Sequence, residues 1–236
     1  MGLADDLANS VDEVLSATWN ERTGTVVPKT DDVALKNGAV KLDAVLLYAD
    51  LADSTGLASL ASRSIAAKVV RGYLSVTSRV VKAADGEIRS FDGDRVMGVF
   101  VGGSKNSNAA ECGIKIKYAV SELLEPKVRK KYPTLSKKWT LRHCVGAASG
   151  EVFVVRGGVR GSNDLVFIGP APNIAAKLSE IRNHPYDSYI TAQVYSRLNK
   201  EAKYSKKDGS NMWTAEKRTI GGDSMTLYKS SWHRKP

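Results

Sequence analysis

With 236 residues, the chain is long enough for one large domain or two small ones. Its composition (42% hydrophobic, 25% charged, 7% aromatic) is globular and excludes disorder, collagen and coiled coil as the main architecture. Lys and Arg number 35 against 25 acids, a net charge of +10, which favours an anionic partner: nucleic acid, a membrane surface or a nucleoside triphosphate.

The first 16 residues carry four acids and no basic residue, so they do not read as a signal peptide. Residues 2–19 place Leu3, Leu7, Val11, Val14, Leu15 and Trp19 at three- and four-residue steps, which predicts a helix. Its apolar face has either the domain or a second subunit to pack on. Residues 20–40 hold Gly24, Pro28 and Gly38 among polar residues and read as a linker. The expected organisation is an N-terminal helix and linker over 1–40, then one domain over 41–236.

Ala44-Val45-Leu46-Leu47-Tyr48-Ala49 is the longest clean apolar run. It falls far short of the roughly 20 residues of a membrane span and suits a strand buried on both faces. A helix is expected over 57–84, with Leu60, Ile65, Val69, Leu74 and Val81 in its core stripe. Strands are expected over 88–91 and 96–101, joined through Asp92-Gly93-Asp94, where Asp-Gly tolerates a tight hairpin. A helix over 109–124 precedes a basic surface connection over 125–138 with Pro126 and Pro133. Strands at 141–148 and 152–155 flank Ser149-Gly150, and another covers 164–168. A helix over 173–182, a strand at 189–191, a short helix to Leu198 and one or two strands over 213–228 complete the chain. The order implies an α+β sandwich, with helices on one side of a mostly antiparallel sheet. Cys112 and Cys144 are too few for a disulfide framework, read as small core residues, and suit a reducing, cytoplasmic setting. His143, Trp139, Trp213 and Trp232 read as packing residues.

Three segments carry chemistry. In Tyr48-Ala49-Asp50-Leu51-Ala52-Asp53-Ser54-Thr55-Gly56 an acid interrupts the end of a buried strand and a helix begins. Backbone N–H groups and two hydroxyls there suit phosphate; alternatively Asp53 or Ser54 caps the helix. Capping leaves Asp50 unexplained, because a carboxylate so placed needs a cation or a hydrogen-bond partner. Asp94, at the hairpin tip, is either a turn residue or a second carboxylate at the same sheet edge. Two such carboxylates can hold two divalent ions for in-line phosphoryl displacement, and oxygen ligands without His suit Mg²⁺ or Mn²⁺. In Gly169-Pro170-Ala171-Pro172-Asn173-Ile174-Ala175-Ala176-Lys177, Asn173 and Lys177 share one helix face.

Together these segments resemble a class III nucleotidyl cyclase catalytic domain. Tyr48 to Thr55 is similar to that family's aromatic-x-Asp-Ile-x-Gly-Phe-Thr, with Asp53-Ser54 in place of Gly-Phe. Gly93-Asp94-Arg95-Val96-Met97-Gly98-Val99-Phe100 resembles its Gly-Asp hairpin, and Ser149-Gly150-Glu151-Val152 its Gly-Glu-Val turn. Gly169 to Lys177 resembles its Gly-x-x-Val-Asn-x-Ala-x-Arg helix. The likeness spans about residues 41–230. It implies metal binding by Asp50, Asp94 and the Leu51 carbonyl, and nucleotide binding by Tyr48, Leu51, Ala52, Asp53, Ser54 and Thr55. It also implies ribose orientation by Asn173 and charge neutralisation by Lys177. Metals from one subunit and Asn173 with Lys177 from the other would make a homodimer with composite sites.

The departures bear on the base. Purine cyclases of this family choose it with side chains at positions that here hold Ser90 and Val166. Neither can make the adenine or guanine contacts, and a site without those contacts cannot select a purine. The pattern therefore resembles the bacterial pyrimidine cyclases of anti-phage (Pycsar) defence. The implied substrate is UTP, or less favourably CTP, and the implied cyclic product acts on a separate effector. Lys177 stands where the family has Arg and keeps the charge without the bidentate fork. The rival readings are a nucleic-acid-binding module, on the basic runs 127–131 and 203–207, and an inactive cyclase-fold scaffold. Sparse aromatics disfavour the first, and the presence of both aspartates the second. Ile220-Gly221-Gly222-Asp223-Ser224 resembles a diguanylate cyclase signature but is better read as a turn between strands.

Overall fold

A computed structural model describes residues 2–236. Helix α1 (Leu3–Ser16) forms as its spacing predicts, yet none of its residues is buried. The segment expected to be a linker carries a strand, β1 (Asn20–Gly24), which pairs in parallel with the start of β2 (Gly38–Leu51). β1 is polar Asn-Glu-Arg-Thr-Gly with its side chains mostly in water, so it lacks the apolar alternation that marks a strand.

The expected helix over 57–84 is two, α2 (Ser54–Leu60) and α3 (Arg63–Ala83). The Ser62 hydroxyl accepts from the N–H of Ile65 and starts α3 afresh; Leu60, at the break, is exposed rather than in the core. β3 (Glu87–Asp92) and β4 (Arg95–Phe100) form the expected hairpin, with Gly93 at φ 61° in its turn. α4 (Lys105–Tyr118) runs on through a π-helical stretch to Leu124. The basic connection is helical, α5 (Glu125–Lys131) and α6 (Pro133–Ser136), with prolines in their first turns and Val128 and Leu135 buried.

The Gly-Glu-Val segment is not a turn. β5 (His143–Val159) is one 17-residue strand in which Gly150 pairs with Ala44. β6 (Ser162–Ile168) folds back on it. α7 (Pro170–Ser179), β7 (Ser188–Thr191), α8 (Ala192–Ser196), α9 (Lys200–Lys203), β8 (Thr214–Ile220) and β9 (Asp223–Ser230) follow. The diguanylate-like Gly221-Gly222 is the β8–β9 turn.

The sheet runs β3-β4-β2-β5-β7-β9-β8, with only β1–β2 and β5–β7 parallel. β2 sits in its interior and alternates between two cores. Val45, Leu47, Ala49 and Leu51 face α3 and α4, whereas Leu42, Ala44 and Leu46 face α7 and β6. Burial of each Val or Leu among them is worth about 1.5–3 kcal/mol. Helices therefore cover both faces of the sheet rather than the one side expected, with α7 opposite α3 and α4. A Cβ at Gly146 of β5 would stand 2.2 Å from the Ala175 carbonyl oxygen, so α7 lies this close only because the residue is glycine. Among the described residues, no helix is long and apolar enough to cross a membrane.

Candidate active site

The site forms where β2 ends. Asp50 is the last residue of β2 on the α7 face, its side chain 14% exposed. Burial raises its carboxyl above the ordinary carboxylate range, opposed by its bond to Arg182, and the nearby Asp94 charge adds to the rise. After Leu51 the backbone turns sharply. Asp53 adopts a left-handed φ of 56°, and its carboxylate accepts from the Gly56 N–H at 3.2 Å. The capping alternative therefore holds for Asp53. The Trp139 indole N–H donates to the Asp53 carbonyl at 2.9 Å and ties the loop to the segment before β5.

The hairpin brings the second acid. Asp50 pairs in register with Arg95 on β4, so Asp94, one residue earlier, stands beside it at the same sheet edge. Asp94 Oδ2 is buried and has no hydrogen-bond partner, a costly arrangement unless a cation fills the gap. Both acids line an open cleft of about 460 Å³ with Leu51, Asp53, Ser54 and Thr55. Arg95, Glu180 and Arg182, to which the sequence assigns no role, also line it. Arg95 bonds Asp92 and Glu180, each at 3.0 Å. Arg182, just past α7, makes an ion pair with Asp50. No local pattern marks these side chains; the seating of α7 on the sheet brings them here, and α7 ends three residues earlier than its expected limit, which frees Arg182 to reach back.

The other expected residues lie elsewhere in the chain. Tyr48 is one step inward on β2; its hydroxyl contacts Met97 Sδ at 3.2 Å and its ring lies under Arg95, 5.6 Å from the guanidinium carbon. Ala52 lines a neighbouring cavity of about 580 Å³ with Lys138, Arg142, His143 and Arg182. Ser90, half-buried on β3, points its hydroxyl at Met97 Sδ. Val166 is 46% exposed on the outward side of β6. Asn173 and Lys177 share the exposed side of α7, neither lines the cleft, and the Lys177 ammonium lies beside Gly221. One chain thus assembles the two acids and the loop but not the Asn173–Lys177 pair with them.

Comparison with known proteins bears on this arrangement. A uridylate cyclase of Rhodovulum sp. (strain MB263) is 44% identical over 237 residues, covering 100% of this chain and 99% of that protein. The chain belongs to the uridylate cyclase family. A uridylate cyclase of Xanthomonas perforans is 40% identical and spans 98% of both chains. Among solved structures, the guanylyl cyclase Cya2 matches with a TM-score of 0.68 at 17% identity, over 83% of this chain and 95% of that one. The adenylyl cyclase CyaB of P. aeruginosa matches with a TM-score of 0.65 at 18% identity, over 81% and 95%. This uridylate cyclase family member therefore has the class III cyclase fold, mostly antiparallel with flanking helices, as its motifs implied. No protein-family model matches the chain.

Proposed function

We propose that the protein converts UTP to 3′,5′-cyclic UMP and pyrophosphate. The observation that carries the reading is the meeting of Asp50 and Asp94 at one sheet edge, above a loop offering Ser54 and Thr55. The choice of UTP is supported by the uridylate cyclases it resembles at 44% and 40% identity and by Ser90 and Val166 in the base-selecting positions.

The donors fit hard divalent cations. They are carboxylates and the Leu51 carbonyl, and Asp94 Oδ2 lacks a partner. Two Mn²⁺ or Mg²⁺ ions held there would neutralise the α-phosphate and acidify the ribose 3′-hydroxyl. In the reaction the 3′-oxygen forms a bond to the α-phosphorus, the bond to the β-phosphate oxygen breaks, pyrophosphate leaves, and the 3′-hydroxyl proton passes to solvent. Ser54 and Thr55 hold the β,γ-phosphates. Arg95 fixes the hairpin through Asp92 and α7 through Glu180, so the two carboxylates keep their spacing. Asn173 orients the ribose, and Lys177 neutralises charge near the α-phosphate.

Asn173 and Lys177 reach that centre from a second subunit. Their exposed side of α7, the bare apolar Val166 and Ile168 on β6, and an α1 with no buried residue support a homodimer with composite sites. A separate effector and a role in anti-phage defence follow from the likeness of the motifs. Asp50→Ala or Asp94→Ala is expected to abolish turnover while the far-UV spectrum and melting transition persist; turnover surviving in either variant refutes the assignment of the acids.

A further inference from the structure

The two acids of the cleft are unequally available. Asp94 Oδ2 is buried with no partner, whereas Asp50 Oδ2 is taken by Arg182. The arginine is not loosely placed. Its Nη1 donates to the Ser179 carbonyl at 2.7 Å and the Ile181 carbonyl at 3.3 Å, at the C-terminal end of α7 where a cation is favoured. Its side chain is 41% exposed, so it has room to leave. It also stands at the junction of two spaces: the cleft with Ser54 and Thr55, and the neighbouring cavity with Lys138 and Arg142.

We propose that Arg182 competes with the divalent cation for Asp50, and that on displacement its guanidinium moves to the polyphosphate tail of the substrate. The inference rests on the cyclase reading above. A cation shared by Asp50 and Asp94 would lie within a few ångströms of the guanidinium, and the two positive charges repel, so they exchange rather than coexist on Asp50. The displaced fork suits the two oxygens of a phosphate, and the β,γ-phosphates over Ser54 and Thr55 lie beside it in the same cleft. Empty protein thus holds Asp50 neutralised and binds metal weakly. Cation and nucleotide bound together satisfy all three charges, so each favours the other.

The test uses the full chain and Mn²⁺ alone, titrated without nucleotide and followed by the electron paramagnetic resonance of the free ion. Arg182→Gln is expected to bind Mn²⁺ about fivefold more tightly than wild type, while its KM for UTP at saturating Mn²⁺ rises about tenfold. Arg182→Lys is a second variant should the first fail to fold. A single ammonium cannot serve Asp50 and both carbonyls together, so both quantities should shift in the same directions by less. A purely structural role for the arginine would move Mn²⁺ affinity the other way. If wild type binds Mn²⁺ and makes cyclic UMP while neither variant binds Mn²⁺ more tightly, the exchange is refuted and the function stands. A wild type that binds no Mn²⁺ alone and makes no cyclic UMP when Mn²⁺ and UTP are supplied together overturns both.

Discussion

Gly146→Ala tests whether the seating of α7 governs both stability and catalysis. The added methyl would meet the Ala175 carbonyl oxygen at 2.2 Å, Leu178 Cβ at 2.5 Å and the Ser179 nitrogen at 2.5 Å. Two of these atoms are backbone, so no rotamer relieves the clash. Ordinary contact needs roughly 3.4 Å, so α7 must withdraw from β5 by about 1 Å. Overpacking of this kind costs about 3 kcal/mol, and in a chain of this size each kcal/mol lowers Tm by about 2–4 °C. Differential scanning calorimetry should therefore give a Tm about 6–12 °C below wild type. The same shift drags Glu180 and Arg182 away from Arg95 and Asp50, whose ion pairs they make. A misplacement of about 1 Å costs kcat/KM on the order of a hundredfold. Gly103→Ala is the control, because a Cβ there meets nothing within 4 Å; it should melt with wild type. A Gly146→Ala protein with wild-type Tm and wild-type kcat/KM would refute the reasoning.

Two further outcomes are expected. Burial holds the His143 imidazole down, from 6.5 to about 4, so between those values the folded protein binds fewer protons than the unfolded chain. Stability then falls as pH drops through that window, by about 3 kcal/mol in all; urea melts at the two ends should show a smaller fall in His143→Gln, and parallel curves would exclude a buried neutral histidine. Deleting residues 2–16 removes no buried side chain, so the domain should keep its Tm within about 2 °C while light scattering after gel filtration shows a shift from dimer to monomer. A truncated protein that stays dimeric removes α1 from the seam and leaves it to α7 and β6.

Several features were legible because local chemistry decides them. The β2 strand and the Asp94 hairpin each carry a clear signal, a continuous apolar run and Asp-Gly-Asp, whereas α7, expected over 173–182, starts at Pro170 with its prolines inside the first turn. The features that escaped depend on partners distant in sequence. Polar β1 is a strand only because β2 offers it an edge. Ser149-Gly150 resembles a turn, yet β2 pairs along β5 from Leu51 to Ala39 and keeps it straight. The hydrophobic stripe ran through Ala61-Ser62, where a cap restarts the helix. In the site, Asp50 stood out because an acid interrupts an apolar strand, whereas Arg95, Glu180 and Arg182 are ordinary charged residues until α7 lies against the sheet.

The most direct measurement of the central claim incubates the purified protein separately with ATP, GTP, CTP and UTP in the presence of Mn²⁺ and identifies products by mass. Cyclic UMP from UTP, lost on adding EDTA and lost in Asp94→Ala, is the expected result. Cyclic CMP alone would move the substrate to CTP and leave the two acids in place. Cyclic AMP or cyclic GMP would contradict the reading of Ser90 and Val166, and no cyclic product from any of the four, in a folded sample, would contradict the proposed activity itself.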